Sequence, residues 1–143
     1  MTVDRGADSR VYAVPADASG PRRVVSVPWL EDGESIVDLH VGFSGARAAL
    51  VVTDGSGDRS LRVAGIVRGD DAVPTALTEP VRVPTQVPPD QADWAGEETV
   101  VVTRVASDAE DRVRPEVVLV STITFSRTMA GASRRLLNTT LIF

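Results

Sequence analysis

The chain has 143 residues, 43% of them hydrophobic and only 4% aromatic, which suits one domain whose core is built from Val, Ala, Leu and Ile. It has no cysteine, so disulfides, thiolate metal sites and a cysteine nucleophile are excluded. The net charge is −5, and every acidic residue lies before position 127, so nonspecific binding to nucleic acid is disfavoured by repulsion from phosphates.

Met1 is followed by Thr2-Val3-Asp4-Arg5-Gly6 with no apolar run. The sequence as it stands shows no signal peptide, lipidation cysteine or membrane span. It is expected to be soluble and to remain cytoplasmic, or to be a fragment of an exported protein. Nine prolines and eleven glycines divide it into short segments, a pattern of strands and turns rather than long helices. Residues 1–10 are polar and expected to be a flexible N-terminus. Val11 to Pro15 reads as a strand, Ala16 to Gly20 as a turn, and Arg22 to Val27 as a second strand ended by Pro28. Glu31-Asp32-Gly33-Glu34 is a turn signal. Ile36 to Val41 then alternates, with Val37, Leu39 and Val41 on one face and Ile36, Asp38 and His40 on the other. Phe43 to Arg47 turns the chain into Ala48 to Val52, an apolar run short enough for a strand buried on both faces. Asp54 to Asp58 is a hairpin turn and Leu61 to Val67 the next strand. Arg68 to Asp71 turns back towards Ala76-Leu77-Thr78. With Pro80 to Pro84 behind it, that segment supplies a short outer strand, where the missing proline N–H is harmless.

This pattern recurs. Phe43 to Val51 aligns without a gap onto Trp94 to Val102, at an offset of 51. In both, an aromatic, a small residue and a glycine precede two turn positions and an apolar strand. Leu61 to Val67 corresponds to Val117 to Ile123, after a longer turn at Ala106 to Pro115. Four strands in about 40–50 residues is the spacing of a propeller blade. The expected fold is all-β, a partial β-propeller of about two to three four-stranded antiparallel blades. Its divisions are a blade end at 11–28, blades at 34–84 and 87–126, and a tail or closing strand at 127–143. Phe43, Gly45, Trp94 and Gly96 are assigned as structural blade positions, the aromatics filling the gap between adjacent sheets.

Candidate chemistry is sparse. Gly42-Phe43-Ser44-Gly45-Ala46 is one residue short of a nucleophile elbow, but the only histidine, His40, precedes Ser44. Asp38 and His40 share a strand face, an arrangement that orients an imidazole for base chemistry, although no nucleophile accompanies it. Asp54 to Arg59 resembles the start of a calcium loop, yet Arg59 and Gly65 stand where that loop needs Gly and Glu. Asp108 to Arg112 reads as a solvated hairpin tip. Asn138-Thr139-Thr140 matches a glycosylation sequon. No catalytic, metal or cofactor residue is assigned, and the protein is read as a binder rather than an enzyme. A stand-alone domain for a small ligand or peptide, and a hydrolase using Ser44, remain as alternatives.

Two resemblances follow from these residues. The run Ile36 to Val52 resembles the "strand, Ser-x-Asp-Gly-x-Arg, apolar strand" unit of TolB-like propellers. A more specific resemblance is to the C-terminal β-propeller of LpqB-type actinobacterial lipoproteins. It rests on Val63-Ala64-Gly65-Ile66-Val67-Arg68 with Pro74 and Leu77, on Ala92-Asp93-Trp94-Ala95 followed by Thr99 to Val102, and on Val27-Pro28-Trp29-Leu30. It covers residues 11–122. It implies an extracytoplasmic accessory lipoprotein associated with the sensor histidine kinase of the Mtr two-component system. The membrane would be reached only through the parent's lipid anchor. In that family a lipidated N-terminus and a GerMN-type domain precede the propeller. Neither is seen in these residues, so a fragment is expected. The resemblance supplies no cofactor and no catalytic residue.

Overall fold

A computed structural model describes residues 1–4, 9–17, 19–85, 87–107 and 113–122. The charged tip at 108–112 and the tail at 127–143 lie outside the described residues. No helix occurs among those described. Strands β1 (Thr2–Asp4), β2 (Arg10–Ala13) and β3 (Arg23–Val25) form the first sheet, in that order. The central sheet runs β4 (Ser35–Val41), β5 (Arg47–Thr53) and β6 (Arg59–Arg68). Two short strands, β7 (Pro74–Leu77) and β8 (Val81–Val83), share the outer edge of β6. The third sheet is β9 (Gln91–Trp94), β10 (Thr99–Ser107) and β11 (Val113–Thr122). Every strand pair is antiparallel.

The three sheets stack face to face through two apolar seams. Val11, Ala13 and Val25 of the first sheet pack on Ile36, Ala48, Leu50, Val52, Ala64 and Leu77. On the other face, Ala49, Val51, Leu61, Val63 and Val83 pack on Ala92, Trp94, Val100 and Val102 of the third sheet. The middle strand β5 is therefore sealed on both sides, and Ala48 to Val52 are each at most 1% exposed. Burying each such Val or Leu contributes roughly 1.5–3 kcal/mol. This is a partial β-propeller, all-β, with the central sheet as its most complete blade.

Local structure departs from the sequence reading in four places. First, β1 pairs with β2 from Thr2↔Tyr12 to Asp4↔Arg10, so a short edge strand stands inside the segment read as a loose N-terminus. Second, β4 is bulged at Val37: Ile36 faces Val52 while Asp38 faces Val51. The extra residue swings Ile36 onto the Leu39 side and Val37 onto the opposite seam, because a single insertion reverses every side chain before it. Third, the outer strand is split in two at Thr78–Pro80, where proline cannot donate. Fourth, the repeat is offset by 52 in its long strand, not 51. Val100 pairs with Trp94 as Ala48 pairs with Val41, and both Ala48 and Val100 face the preceding sheet. Trp94 thus stands in the place of Val41, and Phe43 lies in a turn one residue longer than its equivalent in the third sheet.

Candidate functional site

Phe43 does not fill the gap between sheets; it is 72% exposed, at the tip of the β4–β5 turn. Trp94 closes β9 and is 6% exposed within the seam. Gly45 occupies the left-handed region at φ +70°, and Gly96 lies in the β9–β10 turn. The two turns touch: Arg47 Nη1 reaches Glu97 O at 3.5 Å.

Two backbone hydrogen bonds close the β4–β5 turn. Gly45 N–H donates to Gly42 O at 2.8 Å, and Gly42 N–H to Arg47 O at 2.9 Å. Arg68 Nη2 then donates to Gly45 O and its Nη1 to Ala72 O, each at 2.8 Å. One guanidinium therefore pins the β4–β5 and β6–β7 turns together. A Cβ on Gly45 would lie 3.0 Å from Arg68 Nη2 and would sit on a backbone that L side chains avoid. Gly45→Ala is accordingly expected to cost about 1–2 kcal/mol, read as a lower urea midpoint at unchanged m-value.

A second polar group lies where the first strands of two blades meet. Ala92 and Trp94 have N–H groups aimed at the open edge of β9. Asp38 Oδ2 accepts from Ala92 N–H at 2.9 Å, and Asp93 Oδ1 from Trp94 N–H at 2.7 Å. Trp94 Nε1 donates to His40 O at 2.9 Å. The imidazole nitrogens of His40 each lie 3.4 Å from a carboxylate oxygen, Nε2 from Asp38 and Nδ1 from Asp93. The Asp38–His40 pairing was visible in the strand alternation; Asp93 was not, since it arrives from the next blade. These carboxylates cap an otherwise open strand edge and tie two blades.

The remaining candidates are local turn chemistry. Ser44 Oγ accepts from Ala46 N–H at 3.5 Å, a bond within its own turn, while both nitrogens of the one imidazole face aspartates. Asp54 Oδ1 accepts from the N–H of Ser56 and Asp58 and from the Ser56 hydroxyl at 2.9, 3.0 and 2.6 Å. Those bonds, the Ser56 hydroxyl first, hold its carboxyl below the usual carboxylate value. Its oxygens build the hairpin rather than a cation site. Among the described residues no three of His, Asp and Glu are grouped to hold a metal ion.

The sequence of this chain matches a family model, the lipoprotein LpqB β-propeller domain, over residues 1–134. The chain belongs to the LpqB β-propeller family. No curated protein and no solved structure matches it. The LpqB β-propeller is not a known catalytic family. The match extends beyond the 11–122 span of the sequence resemblance and takes in β1. Two features used for that resemblance have structural roles in this LpqB domain. Trp29 packs against the first seam, and Trp94 lies within the second.

Proposed function

We propose that this LpqB propeller domain is a protein-binding accessory module of an extracytoplasmic, lipid-anchored parent. In this reading it modulates the extracytoplasmic part of the sensor kinase of the Mtr two-component system. Family membership supports the lipoprotein setting. The observation that carries the binding role is Phe43, a large aromatic held out in solvent at the tip of a turn closed by two backbone hydrogen bonds and pinned by Arg68. Exposed, pre-ordered aromatics are the side chains that anchor protein interfaces.

The test uses the full lipoprotein containing this domain, anchored in vesicles and offered the kinase's extracytoplasmic part. Retention of the kinase above that of a propeller-deleted parent, with a changed autophosphorylation rate, is the expected result. Equal retention by the deleted parent overturns the proposal.

A further inference from the structure

We infer that the domain docks its partner through the end formed by the β4–β5, β6–β7 and β9–β10 turns, and that the occupant is an extended protein segment bearing both basic and apolar side chains. The inference rests on the protein-binding reading and gives it a place and a chemistry.

Antiparallel connectivity puts these three turns at one end of the stack, and their contacts make them one surface. Arg68 joins the first two, and Arg47 joins the first to the third. Ile66 N–H donates to Ala46 O at 2.9 Å, so β6 braces the same turn. The exposed large apolar side chains among the described residues are Val24, Val41, Phe43 and Val67, and all but Val24 belong to this end. The opposite end closes with polar turns at Glu31–Glu34 and Asp54–Asp58, each satisfied by its own side chains. Among the residues whose exposure is described, apolar exposure is therefore concentrated at this end, which is the mark of a contact surface rather than of scattered residues.

The rim is net acidic, its two cations Arg47 and Arg68 outnumbered by carboxylates. Asp70, Glu97 and Glu98 are exposed at the turns, and Glu79 lies close by on the outer edge. The guanidiniums of Arg47 and Arg68 are directed onto backbone carbonyls. A cleft of about 300 Å³ continues from the β4–β5 turn along the break between β7 and β8, lined by Ala46, Arg47, Gly65, Thr78 and Glu79 among others. It exists because Thr78 turns its hydroxyl to Gly65 N–H and its own N–H to Gly65 O, both at 2.9 Å, before Pro80 interrupts the strand. A side chain entering there meets apolar walls from Ala46, Val63, Ala64 and Val81, with Arg47 and Glu79 both among the lining residues. An aromatic knob, a net-acidic rim and a largely apolar cleft complement a partly apolar chain of net positive charge and disfavour anionic lipid or nucleic acid.

The probes are a labelled Ac-Lys-Leu-Lys-Thr-Leu-Lys amide and its glutamate-for-lysine counterpart, titrated into the full ¹⁵N-labelled chain. The lysine peptide is expected to bind with shifts centred on the three turns, and the glutamate peptide not to bind. Phe43→Ala is expected to weaken binding about tenfold or more. Its melting temperature should stay at the wild-type value because the ring is mostly in solvent. Glu97→Gln with Glu98→Gln is expected to weaken binding several-fold at low salt and much less above about 300 mM, where exposed charges are screened. Wild-type affinity in Phe43→Ala, equal binding of the two peptides, or shifts confined to other regions overturns the inference. If Phe43→Ala lipoprotein still retains the kinase fully, this surface is wrong while the kinase reading stands. If the wild-type lipoprotein binds the lysine peptide through Phe43 yet ignores the kinase, the surface stands and the kinase reading falls.

Discussion

Replacing Trp94 by Ala is expected to destabilise the domain by about 4 kcal/mol, the upper range for a buried aromatic cut back to a methyl group. Trp94 is the largest side chain in the seam between the central and third sheets, whose other members are Ala, Val and Leu. Small neighbours cannot collapse far enough to refill the space, so the cavity persists. The indole also donates to His40 O, and its loss leaves that carbonyl short of a partner. Against a typical total of about 5–15 kcal/mol, such a loss threatens the folded state itself. Trp94→Phe should retain most of the packing and lose the N–H donor, costing about 1–2 kcal/mol. Urea unfolding followed by far-ultraviolet circular dichroism measures both. A cost below about 2 kcal/mol for Trp94→Ala would mean that the seam contributes little and that the sheets are stable singly.

How much of this was legible in the sequence depends on the range of the interaction concerned. Strand positions and turn tips are local, so Ala48 to Val52, the Asp54 hairpin and the edge strand near Leu77 could be read from run length, glycine placement and proline placement. Face assignment depends on register, and register was lost twice to single residues. The Val37 bulge leaves no mark in an alternating run, because Ile and Val both suit either face. The one-residue difference between the β4–β5 and β9–β10 turns made Phe43 look equivalent to Trp94, and so turned an exposed aromatic into an expected core residue. Its exposure is what makes it the centre of the candidate site. The long-range polar ties were invisible for a different reason: Asp93 meets His40 only after two sheets have stacked, and Glu34 meets Arg62 only after β4, β5 and β6 have paired. Their partners are separated by whole strands, and nothing in a charged residue's local sequence names its distant partner.

The tie between Glu34 and Arg62 supplies the second large expected effect. Arg62 projects from β6 towards the first seam, where its Nη1 donates to Glu34 Oε2 at 3.0 Å and its Nη2 to Glu34 Oε1. The side chains are 16% and 11% exposed, and the guanidinium lies 5.6 Å from the centroid of the Trp29 ring. This pair links the turn that enters the central blade to its third strand, with the indole as a lid. Removing either partner strands a charge in a mostly dry site, so Arg62→Met and Glu34→Gln are each expected to cost about 3 kcal/mol. The double variant Glu34→Gln with Arg62→Met should lose less than the two singles together by about 1–3 kcal/mol, since neither charge is then left alone. The pH dependence has a definite sign. Hydrogen bonds from Arg62 are the main cause holding the Glu34 carboxyl below its ordinary value of 4.5, against the opposing pull of burial. A carboxyl depressed on folding adds stability that is fully present above that value and is lost as the pH falls through its folded-state value. The gap in stability between wild type and Glu34→Gln should therefore be widest near neutrality and narrow progressively below about pH 4.5. Parallel unfolding midpoints for the two proteins from pH 7 down to pH 3 would show that the carboxylate contributes nothing through its charge, and additive single variants would show that Glu34 and Arg62 do not act as a pair.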